Sequence, residues 1–199
     1  MNLFMAAGID LPSSGGRGKR AATRASRLPL FVAKAIDEAL ARSAIAPTDE
    51  QIACAARYAR NVRGSAFRKQ KETAVRNAFF DDILKTVLGY RGLSGDEGYS
   101  LAYEYPIMGR AVDAALGRFE PTGESDVIVA PLEMKGPSTA DLEKIMPGRG
   151  ISPVEQAWNY ASGVAGAKWV LVSNCLEIRL YRFGRGRDSY ELFELSRLD

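Results

Sequence analysis

The 199-residue sequence contains no histidine. That absence removes serine–histidine and cysteine–histidine nucleophilic catalysis, the usual zinc hydrolase ligand sets and every imidazole general base. Only two cysteines are present, Cys54 and Cys175, and they lie far apart, which argues against both a disulfide framework and a cysteine-based zinc site. No apolar run approaches the roughly 20 residues needed to span a bilayer. The stretch from Met1 to Ala7 is short and lacks the positively charged start of a secretory signal, so a cytoplasmic protein is the default expectation.

What the chain does have is enough apolar content, 46% of residues, to bury one good core. Its net charge of +3 hides an asymmetry between its parts. Residues 1–80 carry 14 Lys and Arg against 6 Asp and Glu, whereas residues 81–199 carry 13 against 18. A basic portion beside an acidic one suits a polyanionic ligand whose cleavage requires a cation.

Residues 8–27 are rich in glycine, serine and basic side chains and read as a loop or mobile arm able to touch phosphate nonspecifically. From Leu28 to Ser43, Leu28, Phe31, Val32, Ala35, Ile36, Ala39 and Leu40 form a helical stripe. Pro47-Thr48 opens a second helix to about residue 62, on which Arg57, Arg60 and Arg63 recur three apart as a candidate phosphate-binding strip. A third helix is expected over Lys71–Leu88, ending at Gly89. From Tyr99 the period changes to two, giving strands over residues 99–107, 111–119 and 126–135 with a turn at Met108-Gly109-Arg110. Residues 136–150 read as a loop free to close over a substrate. Ser152-Pro153 then caps a helix, followed by strands at 168–173, 176–183 and 190–195. The order predicts an α/β sandwich around a mixed sheet, with a helical N-terminal region in front. The division expected is an arm at 1–27, a helical region at 28–66 and a core at 67–199.

The third of those strands ends in Glu133-Met134-Lys135, which places a carboxylate and an amine on one face. Asp113 lies in the preceding strand, and an antiparallel pairing of the two would bring Asp113 and Glu133 to one hard divalent cation with Lys135 beside it. Such a constellation is suited to phosphodiester hydrolysis.

With these elements placed, the chain resembles the PD-(D/E)XK nuclease superfamily. Val112-Asp113 and Glu133-Met134-Lys135 match its signature, with Val112 where the family has proline. Glu72 on the preceding helix, and Gln156 with Tyr160 on the following one, come in the family's order. Over roughly residues 70–198 the phrases Leu-Glu-Met-Lys-Gly-Pro, Glu-Gln-Ala-Trp-Asn-Tyr-Ala and Trp-Val-Leu-Val-Ser-Asn are similar to the N-terminal nuclease domains of type IIG restriction-modification enzymes. Those of type I restriction subunits are similar at greater distance.

The resemblance implies a restriction-endonuclease-like fold and a Mg²⁺-dependent endonuclease of double-stranded DNA, with Mn²⁺ able to substitute. It implies metal ligation by Asp113, Glu133, the Met134 carbonyl and Glu72, a water- and phosphate-directed Lys135, and positioning by Gln156 and Tyr160. It further implies a methyltransferase and a target-recognition region on a longer polypeptide of which these residues are the nuclease portion, and dimerisation for double-strand cleavage. The competing readings are a noncatalytic DNA-binding or coupling module of the same fold and a recombination or repair nuclease.

Overall fold

The structure is a computed structural model in which residues 27–43, 46–94 and 97–198 are described. All but the last residue of the expected basic arm lies outside the described residues. The order is α1 (Ala33–Arg42), α2 (Asp49–Arg63), α3 (Glu72–Ala78), β1 (Tyr99–Ile107), β2 (Arg110–Phe119), β3 (Val127–Met134), α4 (Pro153–Ser162), β4 (Trp169–Ser173), β5 (Glu177–Arg182) and β6 (Tyr190–Glu194).

The six strands form one sheet in sequence order. Every neighbouring pair is antiparallel except β3 and β4, which run parallel with α4 as the crossover between them. A parallel step needs such a connection, because a tight turn can only reverse the chain. Between β1 and β2 the turn is Met108-Gly109, with φ of 51° and 72°. Two positive φ values in a two-residue loop give the hairpin twist that matches the strands on either side.

Alternation along the strands supplies both faces of the sheet with apolar side chains. On one face α2, α3 and the residues after α3 meet Leu101, Leu116, Leu132, Met134, Leu171 and Leu180 in the largest core cluster. On the other, Val154, Ala157 and Ala161 of α4 pack with Val170, Val172 and Tyr181. The architecture is therefore α/β with a mixed sheet between helices.

Local signals start the helices where the sequence places them. Thr48 Oγ1 accepts the Gln51 N–H at 3.2 Å while Gln51 Oε1 accepts the Thr48 N–H at 2.8 Å, a reciprocal cap for α2. Ser152 caps α4 by accepting the Glu155 N–H at 3.1 Å, with Pro153 in the first turn.

Three expectations are corrected. The first helix starts at Ala33, not Leu28, because residues 28–31 are used as a strap along β6. Leu28 donates its N–H to the Asp188 carbonyl and accepts the Tyr190 N–H, both at 3.0 Å, and the Glu191 carboxylate accepts the N–H groups of Leu30 and Phe31. None of the residues of α1 is buried. The third helix changes character at Phe79 and continues to Val87 as a π-helix, with Leu88 N–H reaching back to the Ile83 carbonyl and Gly89 closing it. The loop at 136–150 does pack: Leu142 is fully buried under α4, its carbonyl accepts the Val154 N–H, and the Thr139 carbonyl accepts the Asn174 amide at 2.9 Å.

α2 is part of the main core, since Tyr58 is buried against it and donates its hydroxyl to the Cys175 carbonyl at 3.1 Å. Replacing the ring in Tyr58→Ala is expected to cost about 3–5 kcal/mol of global stability in urea unfolding. Tyr58→Phe, which removes only the hydrogen bond, should cost about 1–2 kcal/mol. An unchanged midpoint in Tyr58→Ala would show that α2 unfolds independently of the sheet.

Candidate active site

Pairing of β2 with β3 puts Ala114 opposite Leu132 and Ala115 opposite Pro131. Continuing that ladder one step brings Asp113 across from Glu133. The Asp113 carboxylate is then fixed by the partner strand itself, because Oδ2 accepts the Met134 N–H at 2.7 Å. Past the end of β3, Lys135 is pinned to β4 by its own N–H, which donates to the Ser173 carbonyl at 2.8 Å. Its ammonium folds back to donate to Glu133 Oε1 and, at 3.1 Å, to the Met134 carbonyl. Glu133 and Lys135 are 1% and 5% exposed, so this pair lies inside the protein, with the partly exposed Asp113 and the half-exposed Arg149 beside it.

Two arginines flank the carboxylates. From the loop before α4, Arg149 donates to Gln156 Oε1 at 2.8 Å and approaches Glu133 Oε1 to 4.0 Å. Gln156 donates in turn toward the Tyr160 hydroxyl at 3.4 Å, and Tyr160 donates to the Ala111 carbonyl at 3.0 Å. The spacing of four that joins Gln156 to Tyr160 on one helical face thus ties α4 to β2 just ahead of Asp113. Opposite them, Arg76 of α3 stands 3.6 Å from Asp113 Oδ1 and 3.4 Å from the Asp113 carbonyl.

Glu72, at the start of α3, approaches the end of β3 through a glycine. A Cβ on Gly136 would lie 2.9 Å from the Glu72 nitrogen, so any larger residue there would push α3 away. Cys175, the residue beneath, is buried with φ of 64°, and its Sγ is 3.6 Å from the Lys135 carbonyl. Burial raises its thiol pKa to about 12, with Glu72 and Asp113 adding to the shift, so the thiol stays protonated and unreactive.

Burial likewise lifts the Glu133 carboxyl to about 7, reinforced by the Asp113 charge and only partly offset by Lys135 and Arg149. A group that resists ionisation inside a protein is one that a cation would stabilise. The donors present fit a hard divalent ion: two carboxylates and the Met134 carbonyl, all oxygen, with a lysine ammonium already lodged against two of them. Among the described residues no group of three or more carboxylate, cysteine or histidine side chains is gathered as a cation cluster.

Comparison of the chain with family models, with curated proteins and with solved structures finds no match. The site therefore rests on its own geometry.

The arginines assigned to phosphate binding, Arg57, Arg60 and Arg63, are all exposed on α2, and two of them also make contacts within the protein. Arg57 donates to Asp82 at 2.8 Å and Arg63 donates to the Ser196 carbonyl at 2.6 and 3.0 Å. Both tie α2 to neighbouring elements, and they point to different ones. Arg60 is exposed on the same helix. The arginines that meet the carboxylates are Arg76 and Arg149. Nothing in spacing distinguishes them, since one is an ordinary helical residue and the other sits in a loop whose path the sequence does not encode locally.

The raised Glu133 pKa carries a stability signature. In the unfolded chain the carboxyl ionises near its ordinary value of 4.5, while the folded protein holds the proton to about 7. Its contribution is thus complete below pH 4.5 and lost as pH rises through about 7. Relative to Glu133→Gln, the wild type is expected to lose on the order of 3 kcal/mol across that interval. Thermal unfolding of both proteins at a series of pH values measures it, and parallel curves would contradict a raised pKa.

Proposed function

We propose that this chain is a metal-dependent DNA endonuclease module that hydrolyses phosphodiester bonds, belonging to a restriction-modification protein whose methyltransferase and target-recognition domains lie on the same longer chain. The observation that carries the reading is the convergence of Asp113 and Glu133 across the β2–β3 ladder, with the Lys135 ammonium between Glu133 and the Met134 carbonyl. The match of these positions to a PD-(D/E)XK signature, in order with Gln156 and Tyr160, supports it.

Phosphodiester cleavage requires a water aligned with the phosphorus, relief of charge on the phosphoryl oxygens and a path for one proton. Asp113, Glu133 and the Met134 carbonyl are the groups that would hold Mg²⁺ or Mn²⁺. Such an ion supplies Lewis-acid neutralisation of the phosphate and a lowered pKa for a bound water. The chain itself provides the rest. Among the described residues Lys135 presents the ammonium at the carboxylate pair, placed to donate to the attacking water or to a phosphoryl oxygen. Arg149, with its side chain half exposed, reaches the same carboxylate and can turn its remaining N–H groups to the phosphate. Gln156 orients Arg149, and Tyr160 fixes Gln156 against β2. As water oxygen bonds to phosphorus, the bond to the leaving sugar oxygen breaks and the proton released from the water passes toward that oxygen or to solvent.

Plasmid cleavage by the chain should need Mg²⁺ or Mn²⁺ and stop with a chelator. Asp113→Ala, Glu133→Gln and Lys135→Ala should each lower the single-turnover rate at least about a hundredfold while leaving the far-ultraviolet circular dichroism unchanged. Cleavage by any of the three at the wild-type rate would remove that residue from the site. A wild-type chain that binds DNA but cuts none of it with either ion would favour the noncatalytic module instead.

A further inference from the structure

Beside Asp113, on the far side of Arg76, lies an open cleft of about 450 Å³ between the π-helix and β1. That is room for one nucleoside-sized group and falls within the usual range for small-ligand sites. Its floor is aromatic. Phe80 is buried, and its ring lies 5.0 Å, centroid to centroid, from that of Tyr103, which is 40% exposed. Lys85 places its ammonium 5.5 Å from the Tyr103 ring centroid, and Arg76 stands 5.5 Å from that of Phe80.

The charges of the cleft decide what it can take. Lys85 donates to Asp81 at 2.7 Å and Arg76 to Glu104 at 3.3 Å, so two cations are matched by two carboxylates. A phosphate would find no surplus positive charge here. A neutral, flat ring with amino and carbonyl groups on its edge would find a stacking face in Tyr103, carboxylate acceptors for its amino group and the exposed Asn77 amide for either kind of edge. A nucleobase has that description.

Two further observations join the cleft to the site. Arg76 is shared: one of its nitrogens binds Glu104 at the cleft and the other faces Asp113. Glu104 lies in β1 between the pairs Tyr103↔Ala114 and Tyr105↔Val112, hence across from Asp113, and its φ is 46°. A left-handed backbone at a glutamate inside a strand is strained, and strain of this kind gathers at ligand clamps and active sites.

We propose that this cleft binds one unpaired nucleotide of the DNA strand being cut, its base stacked on Tyr103, next to the phosphate held at Asp113. The inference rests on the DNA-cleaving reading above and specifies the substrate: a duplex with a base free of its partner, at an end, a flap or a flipped position. An unpaired base has both faces available for an aromatic side chain, whereas a base within a duplex does not.

Fluorescence anisotropy of the full chain in chelator, with a blunt duplex and the same duplex carrying a short single-stranded extension, tests this without requiring cleavage. The extended duplex is expected to bind roughly tenfold more tightly, as loss or gain of one base–aromatic stack implies. Tyr103→Ala should abolish the preference and Tyr103→Phe should keep it. Asn77→Trp, at an exposed position on the rim, should fill the cleft and abolish the preference while leaving the Tyr103 ring in place. Equal affinity of the wild type for the two DNAs, absence of DNA binding, or a preference that survives in either Tyr103→Ala or Asn77→Trp would overturn the proposal. Adding Mg²⁺ or Mn²⁺ to the same mixtures separates the two readings. Cleavage without any preference overturns the nucleotide site alone, and a Tyr103-dependent preference without cleavage overturns the nuclease reading alone.

Discussion

A carboxylate and an amine buried side by side at the end of β3 set the terms for everything around them. Removing such charges from water is costly unless each finds a partner in the interior. Lys135 satisfies one carboxylate oxygen of Glu133 and the Met134 carbonyl, Arg149 approaches Glu133, and Arg76 approaches Asp113. Each of these partners comes from a different piece of the chain: α3, the end of β3 and the loop before α4. The requirement to satisfy two carboxylates therefore also positions the elements that enclose them. The packed loop at 136–150, with Leu142 buried under α4, is also the one that brings Arg149 to Gln156 and Glu133.

The same balance separates the groups that hold the site together from those able to act. Asp113 is immobilised by a backbone N–H, a contact that a bound cation would leave intact. Lys135 and Arg149 are held by the very carboxylate that a cation would use. Under the proposed function, theirs are the contacts that would exchange on binding of substrate. Charge compensation by lysine and arginine keeps a buried anionic pair tolerable in the folded protein, and the raised pKa of Glu133 shows that the compensation is incomplete. Strained residues lie close by, Cys175 at φ 64° under Lys135 and Glu104 at φ 46° across from Asp113. The surrounding sheet over-determines both, which is what lets a chain keep such conformations near a site.

Much of the sheet could be read in advance. Strand patterning places β1, β2 and β3 within a residue of their observed ends, because a half-buried strand alternates and a strand covered on both faces is a short continuous apolar run. The caps of α2 and α4 were visible as Thr48 and Ser152 because capping is a contact between residues three apart. The amphipathic pattern of residues 28–43 predicts a single helix, yet its first residues follow β6. Helical periodicity describes which face is apolar and carries no information about a hydrogen-bonded partner such as Asp188 or Glu191, some 160 residues away. The π-helix at Phe79–Val87 was equally hidden, since a single α turn and a single π turn both bring residues four apart to one face.

By itself the sequence determined the absence of imidazole chemistry, the strand that carries Glu133 and Lys135 on one face, and the shared helical face of Gln156 and Tyr160. All three are consequences of composition or of side-chain period, which are local properties. Only the tertiary structure decided that Asp113 lies across from Glu133, that Arg76 and Arg149 flank them, and that Arg57 and Arg63 contact Asp82 and the Ser196 carbonyl. Those facts depend on strand register, on where a loop is anchored and on which helix face meets which neighbour. Each is settled by burying apolar surface and pairing charge across the whole chain, and no window of neighbouring residues contains that information.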